Sequence, residues 1–154
     1  EELAAVIESG DEADLADRVV ASTLPAQLRS ADIAMAKRLR TIGADALGVP
    51  RVEVELAHPA IEFARIAQHF GVPCEDAIVG HLTATVNTLT QNAVRGIPIG
   101  QSDGQRVVTA AHAWVEDACR RVWTLEEGDL GMVAPGLEVA QMQHERLRAR
   151  MFMS

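Results

Sequence analysis

Residues able to ligate metals or carry protons are plentiful in this chain, but they are scattered. The histidines are His58, His69, His81, His112 and His144, and the cysteines are Cys74 and Cys119. None falls into a Cys-x-x-Cys or His-Glu-x-x-His arrangement, the spacings that set two ligands on one side of a divalent ion. Cys74 and His81, seven residues apart, share a helix face, yet two ligands do not close a site. His144-Glu145 lacks a second histidine. Glu62, Asp76, Glu116 and Asp117 fall away from the apolar stripes and read as solvated helix faces, not as acids converging in a pocket. Gly96, Gly100 and Gly104 do not build a phosphate loop, because no Lys-Ser or Lys-Thr follows and Pro98 interrupts the segment. The expectation is a chain with no catalytic residues, no cofactor and no stable metal site.

The segment with most local information is Arg95-Gly96-Ile97-Pro98-Ile99-Gly100-Gln101-Ser102-Asp103-Gly104-Gln105. Its chemistry is recognition. Arg95 closes a helix, where a cation meets the negative end of the dipole. Gly96 is placed to adopt the left-handed conformation of a helix terminator, and Pro98 prevents resumption. Ser102 and Gln105, three apart, form a capping box for the next helix. A tight elbow results, presenting a guanidinium (Arg95) and an amide (Gln101) to a carboxylate or backbone of another protein. The alternative is that Gln101 and Gln105 satisfy the elbow's own backbone.

Helices must position that elbow. Pro25, Pro59 and Pro73 each stand where an amphipathic pattern begins, the place where a missing N–H is harmless. Leu28, Ala31, Met35, Leu39, Ile42 and Ala46 trace the predicted buried face of a long helix, with Arg29, Asp32, Arg38 and Arg40 mostly off it. Phe63, Ile66, Ala67 and Phe70 repeat the period until Gly71. Ile78, Leu82, Val86, Leu89 and Ala93 carry a helix of about six turns. Val107, Ala111, Val115, Ala118 and Val122 trace another, and Leu137, Ala140, Leu147 and Met151 a last one. An earlier helix runs from Asp11, its cap, to about Ser22. The chain opens at Glu1 inside a helical pattern (Glu1–Glu8), which points to further sequence upstream. Loops are expected near Gly48–Ala57 and Gly128–Gly136. The class is all-α, a single-domain helical bundle over residues 1–154 with a C-terminal tail at 144–154.

Composition agrees with that class. Of 154 residues, 48% are hydrophobic but only 3% aromatic, so Ala, Val, Leu, Ile and Met must fill the core. A net charge of -8 opposes a broad nucleic-acid footprint. Two distant cysteines read as reduced thiols of a cytoplasmic protein, and no apolar run suits a membrane span. The competing reading is a generic helical regulator or a DNA-binding helix-turn-helix protein, since Arg95 and Arg106 flank the elbow. A recognition helix offers several basic and amide side chains to a groove. Residues 106–118 instead hold Val107, Val108, Ala110, Ala111, Ala113 and Val115, a helix built for burial.

The run from Val94 to Arg106 resembles the hallmark of the UreF family of urease accessory proteins. There a helix ending in a basic residue leads into a Pro-Leu-Gly-Gln turn, and a Gly-Gln pair opens the next helix; here Ile99 replaces the Leu. The ending His144-Glu145-Arg146-Leu147-Arg148-Ala149-Arg150-Met151-Phe152-Met153-Ser154 is similar to the family's close, a His-Glu pair before a Tyr-Ser-Arg-Leu-Phe-Arg-Ser tail. His144, Glu145, Arg150, Phe152 and Ser154 match, while Arg148, Ala149, Met151 and Met153 depart. Leu28-Arg29 and Met35-Ala36 provide a weaker third match.

The resemblance implies an α-helical homodimer that binds a UreD/UreH-type accessory protein, recruits the GTPase UreG and assists nickel insertion into apo-urease. It implies no enzymatic activity of the chain itself. The partner-binding residues it points to are Arg95, Pro98, Gly100, Gln101, Gln105, His144, Glu145, Arg150, Phe152 and Ser154. Neither nucleic acid nor membrane is an expected partner.

Overall fold

The computed structural model describes residues 12–52, 57–131 and 134–146. Across them run α1 (Glu12–Ser22), α2 (Ala26–Leu47), α3 (Pro59–His69), α4 (Cys74–Gly96), α5 (Gln101–Val122), a 3-10 turn (Glu127–Asp129) and α6 (Pro135–His144). The described residues contain no strand, so the class is all-α as expected. Proline sets the starts. Pro25 precedes α2 in an extended conformation, Pro59 is the first residue of α3, and Pro73 stands immediately before α4. Gly48 and Gly71, with φ of 73° and 65°, take the left-handed conformation just beyond α2 and α3. The predicted Asp11 cap, the Glu1–Glu8 helix, and Leu147 and Met151 of the last stripe lie outside the described residues.

The packing groups into two compact units. The first holds α1, α2, α3 and α6. Its core is made of Ala16 and Val20 from α1, Ala36 and Gly43 from α2, and Ala57, Ile61 and Ala67 around α3, with Pro25 fully buried. Here the expectation for α2 is corrected. Leu28, Met35 and Ile42 are 36%, 51% and 55% exposed, and the buried face is the one carrying Ala36, Arg40 and Gly43. The reason is closeness of approach: a Cβ on Gly43 would lie 3.4 Å from Ile66 of α3. Small residues let the two backbones meet, and Arg40 finds a buried carboxylate there.

The second unit holds α4 and α5. Thr90, Gly104, Val115 and Cys119 are its buried residues. Gly104 marks the contact between the two helices, because a Cβ at that position would sit 2.7 Å from Val94 Cγ2 and 3.5 Å from Thr90 Cγ2. The expectation that residues 106–118 are built for burial is also corrected. Val107 is 51% and Trp114 79% exposed, so α5 buries one narrow edge and leaves an apolar stripe open.

Candidate functional site

The elbow between α4 and α5 forms, though not by the predicted caps. Gly96 is the last residue of α4 and is not left-handed, and the Ile97 N–H donates to the Ala93 carbonyl at 2.8 Å, extending the helical pattern past it. Pro98 then ends the run. The chain turns through Ile99, whose N–H reaches the Ile97 carbonyl at 2.7 Å. Gly100, extended at φ −77° and ψ 160°, is the true cap of α5. Its carbonyl accepts from Asp103 N–H at 3.1 Å and Gly104 N–H at 3.0 Å. The helix therefore starts at Gln101, one residue before Ser102. Ser102 already lies inside the first turn and makes no cap, so the Ser102/Gln105 capping box is absent.

That shift frees the amides. Gln101 and Gln105 are exposed, and no side-chain bond caps α5. Arg95, in the last turn of α4, and Pro98 and Gly100 are exposed as well. The elbow is thus held by backbone hydrogen bonds and a glycine contact, with its polar side chains outward. Arg106 pairs with Asp103 on the same helix, which leaves α5 without the row of free cations a groove-reading helix needs.

The second candidate region begins at the end of α6. His144 and Glu145 are half-buried. Glu145 is already engaged: its Oε1 accepts from the Gln27 N–H at 2.9 Å, at the start of α2. The matching tail residues Arg150, Phe152 and Ser154 lie outside the described residues.

Sequence reasoning misplaced one acid. Glu62, read as solvated, is 3% exposed. Its Oε1 accepts from Arg40 Nε at 2.9 Å and Nη2 at 2.5 Å, and its Oε2 lies 3.6 Å from Arg65 Nη1. Arg65, 8% exposed, also donates to the Pro50 carbonyl at 3.2 Å and lies 3.5 Å from Glu12. Every one of these charges has a counterpart, so the cluster fixes helix register and leaves no acid or base free for chemistry. Asp76, Glu116 and Asp117 are exposed, as expected. Nearby, His58 caps α3 by accepting the Ala60 N–H at 3.3 Å on Nδ1 and faces Asp32 at 3.9 Å. Burial raises the Asp32 carboxyl above its ordinary value, partly offset by His58.

A cavity of about 230 Å³ lies in the first unit, lined by Leu15, Val19, Ile61 and Leu130 with Glu12 and His58. It is smaller than the roughly 300–1,000 Å³ typical of small-molecule sites. Among the described residues no three of His, Cys, Asp and Glu gather in metal-holding geometry. Cys74 is half-buried and Cys119 buried, both as free thiols. No helix among the described residues is long and apolar enough to cross a membrane.

Comparison with known proteins gives a consistent result. The UreF family model matches residues 3–112, a span that contains the elbow and ends before the tail. A protein of Arthrobacter sp. (strain FB24) named urease accessory protein UreF is 42% identical over 151 residues, covering 92% of this chain and 67% of its own. Its namesake in Paenarthrobacter aurescens (strain TC1) is 44% identical, with 94% and 70% covered. That of Bacillus sp. (strain TB-90) is 42% identical, with 87% and 63% covered.

Proposed function

The chain belongs to the UreF family of urease accessory proteins, and from that membership we propose that it is a non-enzymatic adaptor for nickel delivery. In this reading it works in the cytoplasm as a homodimer. It binds a UreD/UreH-type accessory protein, recruits the GTPase UreG, and helps pass nickel, the cargo, into apo-urease. The observation that carries the reading is the elbow: it lies within the family match, is held by backbone hydrogen bonds, and leaves Arg95, Gln101 and Gln105 exposed with no side-chain bond capping α5.

Two surfaces divide the work. The elbow, with Arg95, Pro98, Gly100, Gln101 and Gln105, contacts one partner. The tail contacts another, with Arg150, Phe152 and Ser154 as its anchors and His144 and Glu145 at its root. Arg and Phe are enriched in interface cores, and Met151 and Met153 adapt readily to a facing surface. Because Glu145 is bonded to α2, the informative deletion starts beyond it.

Co-purification tests this directly. Removing residues 147–154 abolishes capture of the UreD/UreH-type protein while the helical circular dichroism persists. Gln101→Ala weakens UreG recruitment with the fold unchanged. Full capture of both partners by both variants contradicts the assignment.

A further inference from the structure

Helix α2 leaves one apolar line in water. Leu28, Met35 and Ile42 recur every seven residues, a spacing that drifts by only about 20° per step, and all three are exposed. They span about 21 Å, or about four turns. The buried edge of Ala36 and Gly43 lies one residue on, about 100° round the helix. The line meets that edge through the half-buried Leu39, and its other flank is polar.

The polar flank is basic. Arg38 stands three residues after Met35 and four before Ile42, so it neighbours both. A shallow groove of about 320 Å³ runs there, lined by Lys37, Arg38, Thr41 and Ile42. Lys37 and Arg38 are exposed, and neither makes an ion pair among the described residues. Thr41 donates its hydroxyl hydrogen to the Lys37 carbonyl at 2.9 Å. Asp45, the acid on this flank, is held by Arg51. Two neighbouring cations without a counter-charge stand out on a chain of net charge -8.

We propose that this face of α2 docks an acidic amphipathic helix of another protein. The apolar residues of that helix lie along Leu28, Met35 and Ile42, and its carboxylates meet Lys37 and Arg38. This is helix-in-groove recognition, read through anchors one and two turns apart. Met35 adapts to the side chains that face it. The methylene stems of Lys37 and Arg38 cover apolar surface while their charged ends reach the carboxylates. Charge selects the occupant. The acidic remainder of the chain repels an acidic segment, so the two cations fix where it lands and which way round it lies. A phosphate backbone has nothing to lay along the apolar line. A second copy of the chain offers this flank only Asp45, which Arg51 already holds. The contact is one helix wide, below the area of standard interfaces, and is therefore weak and readily reversed. The inference goes beyond the adaptor reading and uses neither the elbow nor the tail.

Fluorescence anisotropy with the full chain provides the test. The probe is a labelled synthetic helix of about 20 residues, with leucine along one face and glutamate beside it. The parent chain binds it with a micromolar dissociation constant, and the binding weakens as salt is raised. Lys37→Glu/Arg38→Glu weakens it about tenfold or more, as like charges across a contact do. Met35→Ser/Ile42→Ser, at exposed positions, weakens it as much while the helical circular dichroism is unchanged. A parent chain that does not bind overturns the proposal, and so does undiminished binding by either double variant. Two further results reassign the face and overturn the proposal equally. One is an oligothymidine bound as tightly through Lys37 and Arg38; the other is a parent dimer in sedimentation velocity that Met35→Ser/Ile42→Ser dissociates. The adaptor reading is tested on the elbow and the tail, so the two readings fail separately.

Discussion

The Glu145 carboxylate accepts a hydrogen bond from the Gln27 backbone N–H at 2.9 Å, across 118 residues of sequence. Helix α2 begins after Pro25, which has no side-chain acceptor to offer its first exposed N–H groups. The acid that serves there comes from just beyond α6. It satisfies an orphan donor and places negative charge at the positive end of the α2 dipole. The same bond ties the root of the tail to the longest helix of the first unit.

Glu145→Ala therefore lowers stability by about 1 kcal/mol, the usual value of a helix cap, and the midpoint of thermal unfolding by about 2–4 °C. Glu145→Gln, which keeps an acceptor oxygen, loses less. Circular dichroism melts of the two variants measure this. A Glu145→Ala chain with the parent's midpoint would show that the carboxylate is not used in the fold.

The buried cluster in the first unit is more sensitive. Glu62→Met removes the buried carboxylate that Arg40, only 18% exposed, and Arg65 share, and costs about 3–5 kcal/mol, as removal of one partner of a buried pair does. Replacing both, Arg40→Met with Glu62→Met, costs less than the sum of the single changes. Urea denaturation of the four chains measures the coupling. Additive losses would contradict the pairing.

Gly104→Ala tests the α4–α5 contact. Its new Cβ would meet Val94 Cγ2 at 2.7 Å, an overlap that forces a shift and destabilises by about 1–3 kcal/mol. Val94→Ala in the same chain makes room and recovers part of the loss. If Gly104→Ala instead stabilises the chain, as alanine does in an open helix, the close approach is wrong.

Burial lowers the His81 imidazole below its ordinary value of 6.5. The folded chain therefore resists taking up that proton, and the unfolded chain takes it up first. The resulting stability is complete above pH 6.5 and is lost as pH falls through 6.5 towards the lower folded value. Urea midpoints between pH 7 and pH 4 decline for the parent, and less steeply for His81→Gln. Equal slopes would remove His81 from the account.

Helical periodicity and three prolines were enough to place α1 to α5 near their observed bounds, because both signals are local, whereas the last stripe, expected to run to Met151, ends as a helix at His144. Which face each helix buries was less legible. Leu28, Met35 and Ile42 form the more apolar stripe of α2, yet Ala36 and Gly43 pack inward because small residues permit a close approach to Ile66. Their seven-residue spacing was the available signal. Glu62 looked solvated by type, and only the fold brings Arg40, 22 residues away, onto it. At the elbow the turn was legible but the cap was misplaced by two residues, since Gly100, and not Ser102, caps α5 with its backbone alone. The Glu145–Gln27 bond had no sequence signal at all, as nothing in either neighbourhood points to the other.

The central claim is that this chain transmits nickel delivery without doing bond-making chemistry. It is tested most directly by reconstituting apo-urease with nickel, GTP, UreG and the UreD/UreH-type protein, with and without the chain, and measuring urea hydrolysis. The account predicts strong activation only when the chain is present, and none by the chain alone on urea or GTP. Equal activation in its absence, or turnover by the purified chain unaided, would contradict it.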